Sequence, residues 1–425
     1  MILPRWTFPV DPSPDENAAH DEVITHIEAW WQAFEEKVPE LLAFFANEAD
    51  WDLAAWIHPW LHAIHPALRW DFGPALHGPG HRLTLTPEGD CYLRPLATEV
   101  IRRAPVLDMF EFYAYRIQET PEETEERAQV ETGTSIENIW VNARMLPSQH
   151  IGLEFHSPDF AAKDDQLAYN TVFVATEALL GEQRFDQWIG PVSVFPIKKK
   201  SGGSSLAKTM KPQDGSGPVA GATHISELAT RVDELIEDMR SSLTDSPVRT
   251  WCDTAEWNMY DLETQATDDD AARRYDLHTS VTILPDVWEA AHGPGYFYSE
   301  RFTLNNEIFC YLKIDGVADW GSPDFKDRTP LEEAVHKALT KAEVGACSGS
   351  GNGHRYAYVD LVIEDMDAAI PIIREVCQNA KVPKRSWLQF YDSIWTAEWV
   401  GVYPDSPQPP LAETSRNTGE ASTSA

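Results

Sequence analysis

The chain has 425 residues, of which 43% are hydrophobic and 11% aromatic, a composition typical of folded globular domains. Its formal net charge of −34 excludes the positive surface that direct binding to DNA, RNA or an anionic membrane requires. The same charge has two interpretations: a solvated surface that keeps the protein in solution, or attraction to a basic partner protein.

The cysteines and the N-terminus indicate the compartment. The five cysteines are scattered, without a Cys-x-x-Cys pair: Cys91, Cys252, Cys310, Cys347 and Cys377. This pattern predicts neither a disulfide framework nor a thiolate metal site. Residues 1–17 contain no apolar stretch of signal-peptide length, and no stretch approaches the ~20 apolar residues of a membrane span. We therefore expect a cytoplasmic, reduced protein, with no membrane association and no cofactor.

A change of composition near the middle divides the chain. Residues 198–223 are rich in Gly, Ser, Pro and Lys and almost free of apolar residues, which predicts a flexible linker. The predicted domains on either side are 14–197 and 224–403. A disordered tail is expected at 404–425.

In the first domain, apolar residues at helical spacing predict an amphipathic helix over 20–46, bent at Pro39. A second helix is expected over 51–64, where Pro59 should kink or break it. The further predicted elements are strands at 68–72, 81–86, 110–117, 139–146 and 150–155, helices at 91–105, 121–131 and 164–181, and a closing strand at 188–197.

The second domain has a clearer order. An amphipathic helix at 225–243 and strands at 250–262 and 275–284 precede six elements: strand 308–314, helix 330–342, two strands within 344–363, helix 365–380 and strand 386–391. The order βαββαβ is that of a ferredoxin-like unit. The predicted fold class is therefore α+β, with two domains of mainly antiparallel sheets that carry helices on one face.

The first half contains the runs WWQAFEEKVPELL, HRLTLTPEGDCYLRPLATEVIRRAPVLDMFEFYAYR and LAYNTVFVATEALLGEQRFDQWI. With these runs, residues 20–197 resemble a widespread group of uncharacterised bacterial proteins. The second half, with YLKIDG, DFKDRTPLEEA and VPKRSWLQF, resembles another bacterial module of unknown function. The resemblance implies the fold and a bacterial, cytoplasmic origin, and it implies no activity.

A cluster of histidines offers one kind of chemistry. It consists of His58, His62, His65, His77 and His81. Two histidines four apart on a helix can share one zinc ion, so the cluster gives an alternative function as a metal-dependent hydrolase. Against it, Pro59 disfavours helical geometry at His58, and no acidic residue sits at ligand spacing within the run. Ordinary histidines at the edge of the core are the favoured interpretation.

Other signatures of catalysis are weak. The run GSGNGH at 349–354 lacks the Lys-Ser/Thr of a phosphate loop and joins two predicted strands, so we expect a hairpin turn. No nucleophile motif such as G-x-S-x-G occurs.

The favoured function is a non-enzymatic binding or regulatory protein. It would be of the immunity type, which neutralises a basic partner protein through an acidic surface. The predicted binding residues are the aromatic Trp395 and Trp399 and the nearby acids Asp392 and Glu398, because acids around an aromatic centre suit an interface anchor. The alternative is that both tryptophans pack against the sheet. The sequence does not indicate an oligomeric state.

Overall fold

The computed structural model describes residues 4–162, 165–197, 220–264, 272–293, 295–316 and 327–410. Within these ranges the chain has an α+β fold with three sheets, of three, four and seven strands. Most neighbouring strands are antiparallel, which confirms the predicted fold class. Residues 198–219 of the predicted linker and 411–425 of the predicted tail lie outside the described residues.

Long helices and a small sheet form the N-terminal part. The elements are α1 (Pro14–Phe45), α2 (Leu53–Ile64), β1 (Arg69–Pro74), β2 (His81–Thr86), α3 (Arg94–Arg102) and β3 (Phe110–Tyr113). α1 begins where the Ser13 hydroxyl accepts a hydrogen bond from the Glu16 N–H, and Pro14 fits its first turn. α1 includes Pro39, and α2 is not broken at Pro59.

An aromatic core lies between these helices and the first sheet, whose strand order is β1-β2-β3. Trp30, Trp31 and Phe34 are at most 4% exposed and contact one another. The Trp31 indole donates to the Val100 carbonyl at 2.9 Å. β2 pairs antiparallel with β1 and parallel with β3, so the sheet is mixed.

The second sheet has the order β6-β5-β4-β7. Its strands are β4 (Trp140–Met145), β5 (Ile151–Ser157), β6 (Ile189–Pro196) and β7 (Thr223–His224), and its helices are α4 (Pro121–Thr132), α5 (Asp165–Leu180), α6 (Glu182–Trp188) and α7 (Leu228–Ser242). A buried ion network joins it to the first sheet. The Arg94 guanidinium of α3 lies 2.6 Å from Glu182 and 2.5 Å from Asp186, both of α6.

The third sheet has the order β14-β13-β10-β12-β11-β9-β8, and all its neighbours are antiparallel. Its strands are β8 (Asn258–Asp261), β9 (Leu277–Thr282), β10 (Ile308–Ile314), β11 (Gly345–Gly353), β12 (Ala357–Ile363), β13 (Ser386–Phe390) and β14 (Trp399–Gly401). Its helices are α8 (Pro285–His292), α9 (Thr329–Ala342) and α10 (Met366–Asn379). Residues 308–390 follow the βαββαβ order.

Both faces of the third sheet are covered. α9 and α10 pack on the face that carries Leu312 and Leu361. α8 packs on the opposite face through Trp288, in an aromatic cluster with Tyr311 and Tyr358. The prediction of helices on one face is therefore wrong for this sheet, because the strand residues on both faces are apolar or aromatic and both need cover.

The glycine run at 349–354 is not the turn that the sequence predicts. Gly349 and Gly351 lie inside β11, and the connection to β12 follows Gly353. A Cβ on Gly349 would lie 2.6 Å from the Val281 carbonyl oxygen, and one on Gly351 would lie 2.5 Å from Leu277 Cδ1. These glycines therefore allow β9 to approach β11 closely.

The packing also differs from the predicted domain division. β7 pairs with β4 across the predicted linker, and Leu228 and Val232 of α7 lie in the core of the second sheet. Residues 223–242 thus pack with the first half, although the sequence assigns 224–243 to the second. The amphipathic pattern of α7 shows that it must bury one face, but it does not show against which sheet.

The predicted tail begins later than expected. The carbonyl oxygen of Pro407 accepts a hydrogen bond from the Trp387 indole of β13. Residues 404–407 are therefore held against the third sheet.

We predict that backbone cleavage within the predicted linker leaves the two fragments associated. β7 and α7 belong to the C-terminal fragment, but they pack on the second sheet, which belongs to the N-terminal fragment. A site-specific protease sequence in place of residues 205–211 allows one defined cut. The cut protein should elute as one species in native size-exclusion chromatography and show two bands on a denaturing gel. Val232→Asp in the buried face of α7 should promote separation. Separate elution of the fragments without that substitution would contradict the packing described.

Candidate functional site

The structure brings the four predicted binding residues together, but it does not place their acids on the surface. Asp392 is 4% exposed and Glu398 is 3% exposed, while Trp395 and Trp399 are half-buried. The predicted acidic rim is therefore wrong at this position. Its carboxylates are bound by other parts of the chain.

Glu398 holds the N-terminal segment. Its carboxylate accepts three backbone hydrogen bonds, from Trp6 at 2.7 Å, Thr7 at 3.2 Å and Phe8 at 2.9 Å. Burial raises the pKa of Glu398, and the three N–H donors oppose that shift. The carboxylate thus acts as a structural anchor.

The two tryptophans pack on the same segment. The Arg5 guanidinium lies 4.0 Å over the Trp399 ring and donates to the Trp399 carbonyl at 2.8 Å. Trp395 contacts Phe8 at 5.4 Å and Phe390 at 5.7 Å between ring centroids. These contacts agree with the alternative interpretation, in which both tryptophans pack against the sheet.

Asp392 fixes a loop. It accepts hydrogen bonds from the Ser299 N–H at 2.7 Å and from the Ser299 hydroxyl. Burial raises the pKa of Asp392 to about 6. The Asp392 carboxylate is therefore buried and bound within the chain, where a partner protein cannot contact it.

We predict that Glu398→Gln lowers the free energy of unfolding by about 2–4 kcal/mol, because one acceptor oxygen is replaced by an NH₂ group that faces N–H donors. Urea denaturation of the full chain measures the change. Glu375→Gln, at an exposed position of α10, is the matched control and should change stability little. Equal stability of both variants would show that Glu398 does not anchor the N-terminal segment.

The histidine cluster does not form a metal site. His58, His62 and His77 are exposed, and His65 and His81 are partly buried. The His65 Nδ1 accepts from the Ala67 N–H, and the His81 ring stacks on Phe45 at 4.2 Å. No three of the five bring ligand atoms within 4.8 Å of one another, although all lie in the described ranges. The hydrolase alternative gains no support from them.

One other group in the described part of the chain has metal-ligating atoms within 4.8 Å of one another: Cys252, Asp253 and His336. The His336 Nδ1 accepts a hydrogen bond from the Cys347 N–H at 3.3 Å, and its Nε2 lies 3.1 Å from the Asp253 carboxylate. Nδ1 therefore carries a lone pair, and the neutral ring holds its proton on Nε2. A metal ion bound at Nε2 would force the proton of the neutral ring onto Nδ1, where it would face the Cys347 N–H. Burial also raises the pKa of the Cys252 thiol, whereas a metal needs the thiolate.

A surface that the sequence did not single out lies at the open edge of the third sheet. β8 is the last strand in the order and pairs with β9 alone among the described strands. Trp257, directly before β8, is 56% exposed, and Met259 within it is 76% exposed. Tyr260 turns the other way and stacks on Trp288 at 3.9 Å. The strand thus has one covered face and one apolar, uncovered face.

Acids flank these two side chains along the sequence. Asp253, Glu256, Asp261 and Glu263 are exposed in the same segment, and residues 250–264 contain no Lys or Arg. We call Trp257, Met259 and these four acids the β8 edge surface. It has the arrangement that the sequence analysis placed at Trp395 and Trp399, an apolar centre with acidic neighbours.

The two surfaces cannot be distinguished by local sequence. Both combine tryptophan with Asp and Glu at or next to a short strand of the same sheet. The period of two in WNMYD shows which residues share a face, but it does not show that β8 ends the sheet. Only the strand order supplies that information.

Between the second and third sheets, His150 is buried and has no carboxylate partner among the described residues. It is 2% exposed, and its Nε2 donates to the Tyr296 carbonyl at 2.9 Å. The same carbonyl accepts from Arg301, whose side chain is fully buried. Burial, followed by the charge of Arg301, lowers the pKa of His150 to about 4.

We predict that His150 makes the protein less stable in acid. The unfolded chain binds a proton below about pH 6.5, whereas the folded chain does so only near pH 4, so stability falls as the pH drops through this window. The loss should reach about 2 kcal/mol at pH 5. His150→Asn should reduce the difference in urea stability between pH 7.5 and pH 5, and His58→Asn, on the surface, should not. An unchanged pH dependence in His150→Asn would refute this assignment.

The chain matches no protein-family model, no curated protein and no solved structure. The resemblance to uncharacterised bacterial proteins and the ferredoxin-like designation of the βαββαβ unit therefore stay predictions. Within the described residues, none of the helices is long and apolar enough to cross a membrane.

Proposed function

We propose that this chain is a non-enzymatic cytoplasmic binding protein of the immunity type, which captures a basic partner protein at the β8 edge surface. The observation that carries the proposal is an edge strand whose outer side has no partner among the described strands, with two exposed apolar side chains at or next to it and four exposed acids in the same segment. An edge strand presents free backbone N–H and C=O groups, and proteins commonly protect such edges with lysine or proline. β8 contains neither.

The chemistry of this surface favours an extended, basic segment as its occupant. Such a segment can add a strand to β8 through main-chain hydrogen bonds, while alternate side chains contact Trp257 and Met259. Its lysines or arginines would face the acids of the segment, and the net charge of −34 would speed the encounter at low salt. Apolar contact then supplies the selectivity that charge alone lacks.

A defined peptide tests this proposal on the full chain. We expect an alternating (Lys-Val)₄ peptide to bind at 50 mM NaCl, measured by isothermal titration calorimetry, and a (Glu-Val)₄ peptide not to bind. Trp257→Ala combined with Met259→Ser should weaken binding at least 10-fold. The matched control is Val130→Ser on α4, where another apolar side chain is 84% exposed, and it should bind as the parent chain does.

The acids are tested separately. Glu256→Gln with Asp261→Asn should weaken binding and reduce its dependence on salt, since two of the charges that attract the peptide are gone. Glu22→Gln with Glu35→Gln removes the same charge from exposed positions of α1 and serves as the control. If both pairs act alike, attraction is diffuse and the β8 edge surface is not the binding site. Binding that ignores the Trp257 and Met259 substitutions leads to the same conclusion.

A further inference from the structure

A second feature is a cavity of about 290 Å³ on the aromatic face of the third sheet, which shares only Glu263 with the β8 edge surface. The polar side chains that line it are Glu263, Arg273, Arg274, Tyr275, His292, Tyr311 and Tyr391. Apolar groups complete the wall. Ligand cavities typically combine an apolar wall with a few converging polar groups in this way.

Arg274 is a fixed part of this wall. Its guanidinium lies 3.0 Å from the Asp360 carboxylate and within 5.5 Å of the ring centroids of three tyrosines, at positions 311, 358 and 391. It also donates to the Tyr391 hydroxyl. Because Asp360 matches its charge, Arg274 does not by itself require an anion.

Arg273 differs from its neighbour. Its side chain is half-buried and makes no hydrogen bond or ion pair with any residue in the described ranges. Glu263, the one carboxylate in the wall, is exposed. Arg273 therefore offers a guanidinium that has no carboxylate partner among the described residues, and its planar N–H groups suit a carboxylate or phosphate.

His292 adds a hydrogen-bond acceptor to the cavity wall. Its Nδ1 donates to the Trp288 carbonyl at 2.8 Å, so the neutral ring carries a lone pair on Nε2, which has no partner among the described residues. Burial, then the charges of Arg274 and Arg273, lower the pKa of His292 to about 3, so it stays neutral at physiological pH. A neutral acceptor of this kind suits a hydroxyl donor.

We propose that this cavity binds a small hydroxylated organic anion, with its oxyanion on the Arg273 guanidinium and a hydroxyl donating to His292 Nε2. The oxyanion is a carboxylate or a phosphate, since a guanidinium donates paired hydrogen bonds to either group. Glu263 opposes a second anionic group, so a ligand with one such group is preferred.

Ligand-induced thermal shifts of the full chain test the proposal with four probes. Glycerate supplies a hydroxy-carboxylate, glycerol 3-phosphate a hydroxy-phosphate, acetate an anion without a hydroxyl, and glycerol a neutral molecule. We expect a saturable rise in melting temperature with glycerate or glycerol 3-phosphate, a weaker rise with acetate and none with glycerol. Whichever of the first two gives the larger shift identifies the oxyanion.

Two variants connect the binding to the cavity. Arg273→Gln should weaken binding at least 10-fold, whereas Arg231→Gln, at a partly exposed position of α7 outside the cavity wall, should not. His292→Phe preserves an aromatic ring against Trp288 and should remove the preference for glycerate over acetate while anion binding persists. The proposal fails if no probe gives a saturable shift, if glycerol acts like the anions, or if Arg273→Gln binds like the parent chain.

Discussion

Buried carboxylates that bind distant parts of the chain are the interactions on which the arrangement of the three sheets depends. Glu182 of α6 accepts hydrogen bonds from Arg94 of α3 and from the Arg116 N–H, and Glu398 binds the segment at residues 6–8. A buried carboxylate without donors costs several kcal/mol. Each of these contacts is therefore favourable only when its remote donors are in place. Separating two sheets would leave a charge uncompensated, which couples the parts of the molecule to one another.

Ion pairs with buried arginines also limit how much positive charge lies at the surface of the protein. Arg5, Arg94 and Arg274 are at most 7% exposed and each pairs with a buried carboxylate. Arg5 and Arg274 form neutral interior pairs in this way, whereas Arg94 faces two carboxylates, those of Glu182 and Asp186. Arg301 differs from these three arginines: within the described residues, two of its guanidinium nitrogens lack hydrogen-bond partners, and burial lowers its pKa to about 10. Burial, together with the positive charge of Arg301, keeps the nearby His150 neutral.

Local patterns predict the elements well and their environment poorly. The periodicity of residues 20–46 and the βαββαβ order of residues 308–390 can be read from sequence, because both depend on neighbours a few positions apart. The role of Glu398 cannot, since its donors lie about 390 positions away along the chain. The glycine run in β11 shows a similar limit: glycine suits a turn and also a close approach between strands, and only the position of β9 decides between them.

The net negative charge of the chain affects the two candidate sites in opposite ways, because one would bind a basic partner and the other an anion. At the β8 edge surface the acids are exposed and screened by salt, so they attract a basic partner but cannot select it, and Trp257 with Met259 must supply the selectivity. In the cavity, Arg273 is half-buried and shares the wall with Tyr275, Tyr311 and Tyr391, so its charge is screened less than that of a fully exposed cation and can attract an anion despite the overall charge of −34. Net charge therefore describes the long-range attraction of this protein. Burial and the local pairing of each side chain determine what it can bind.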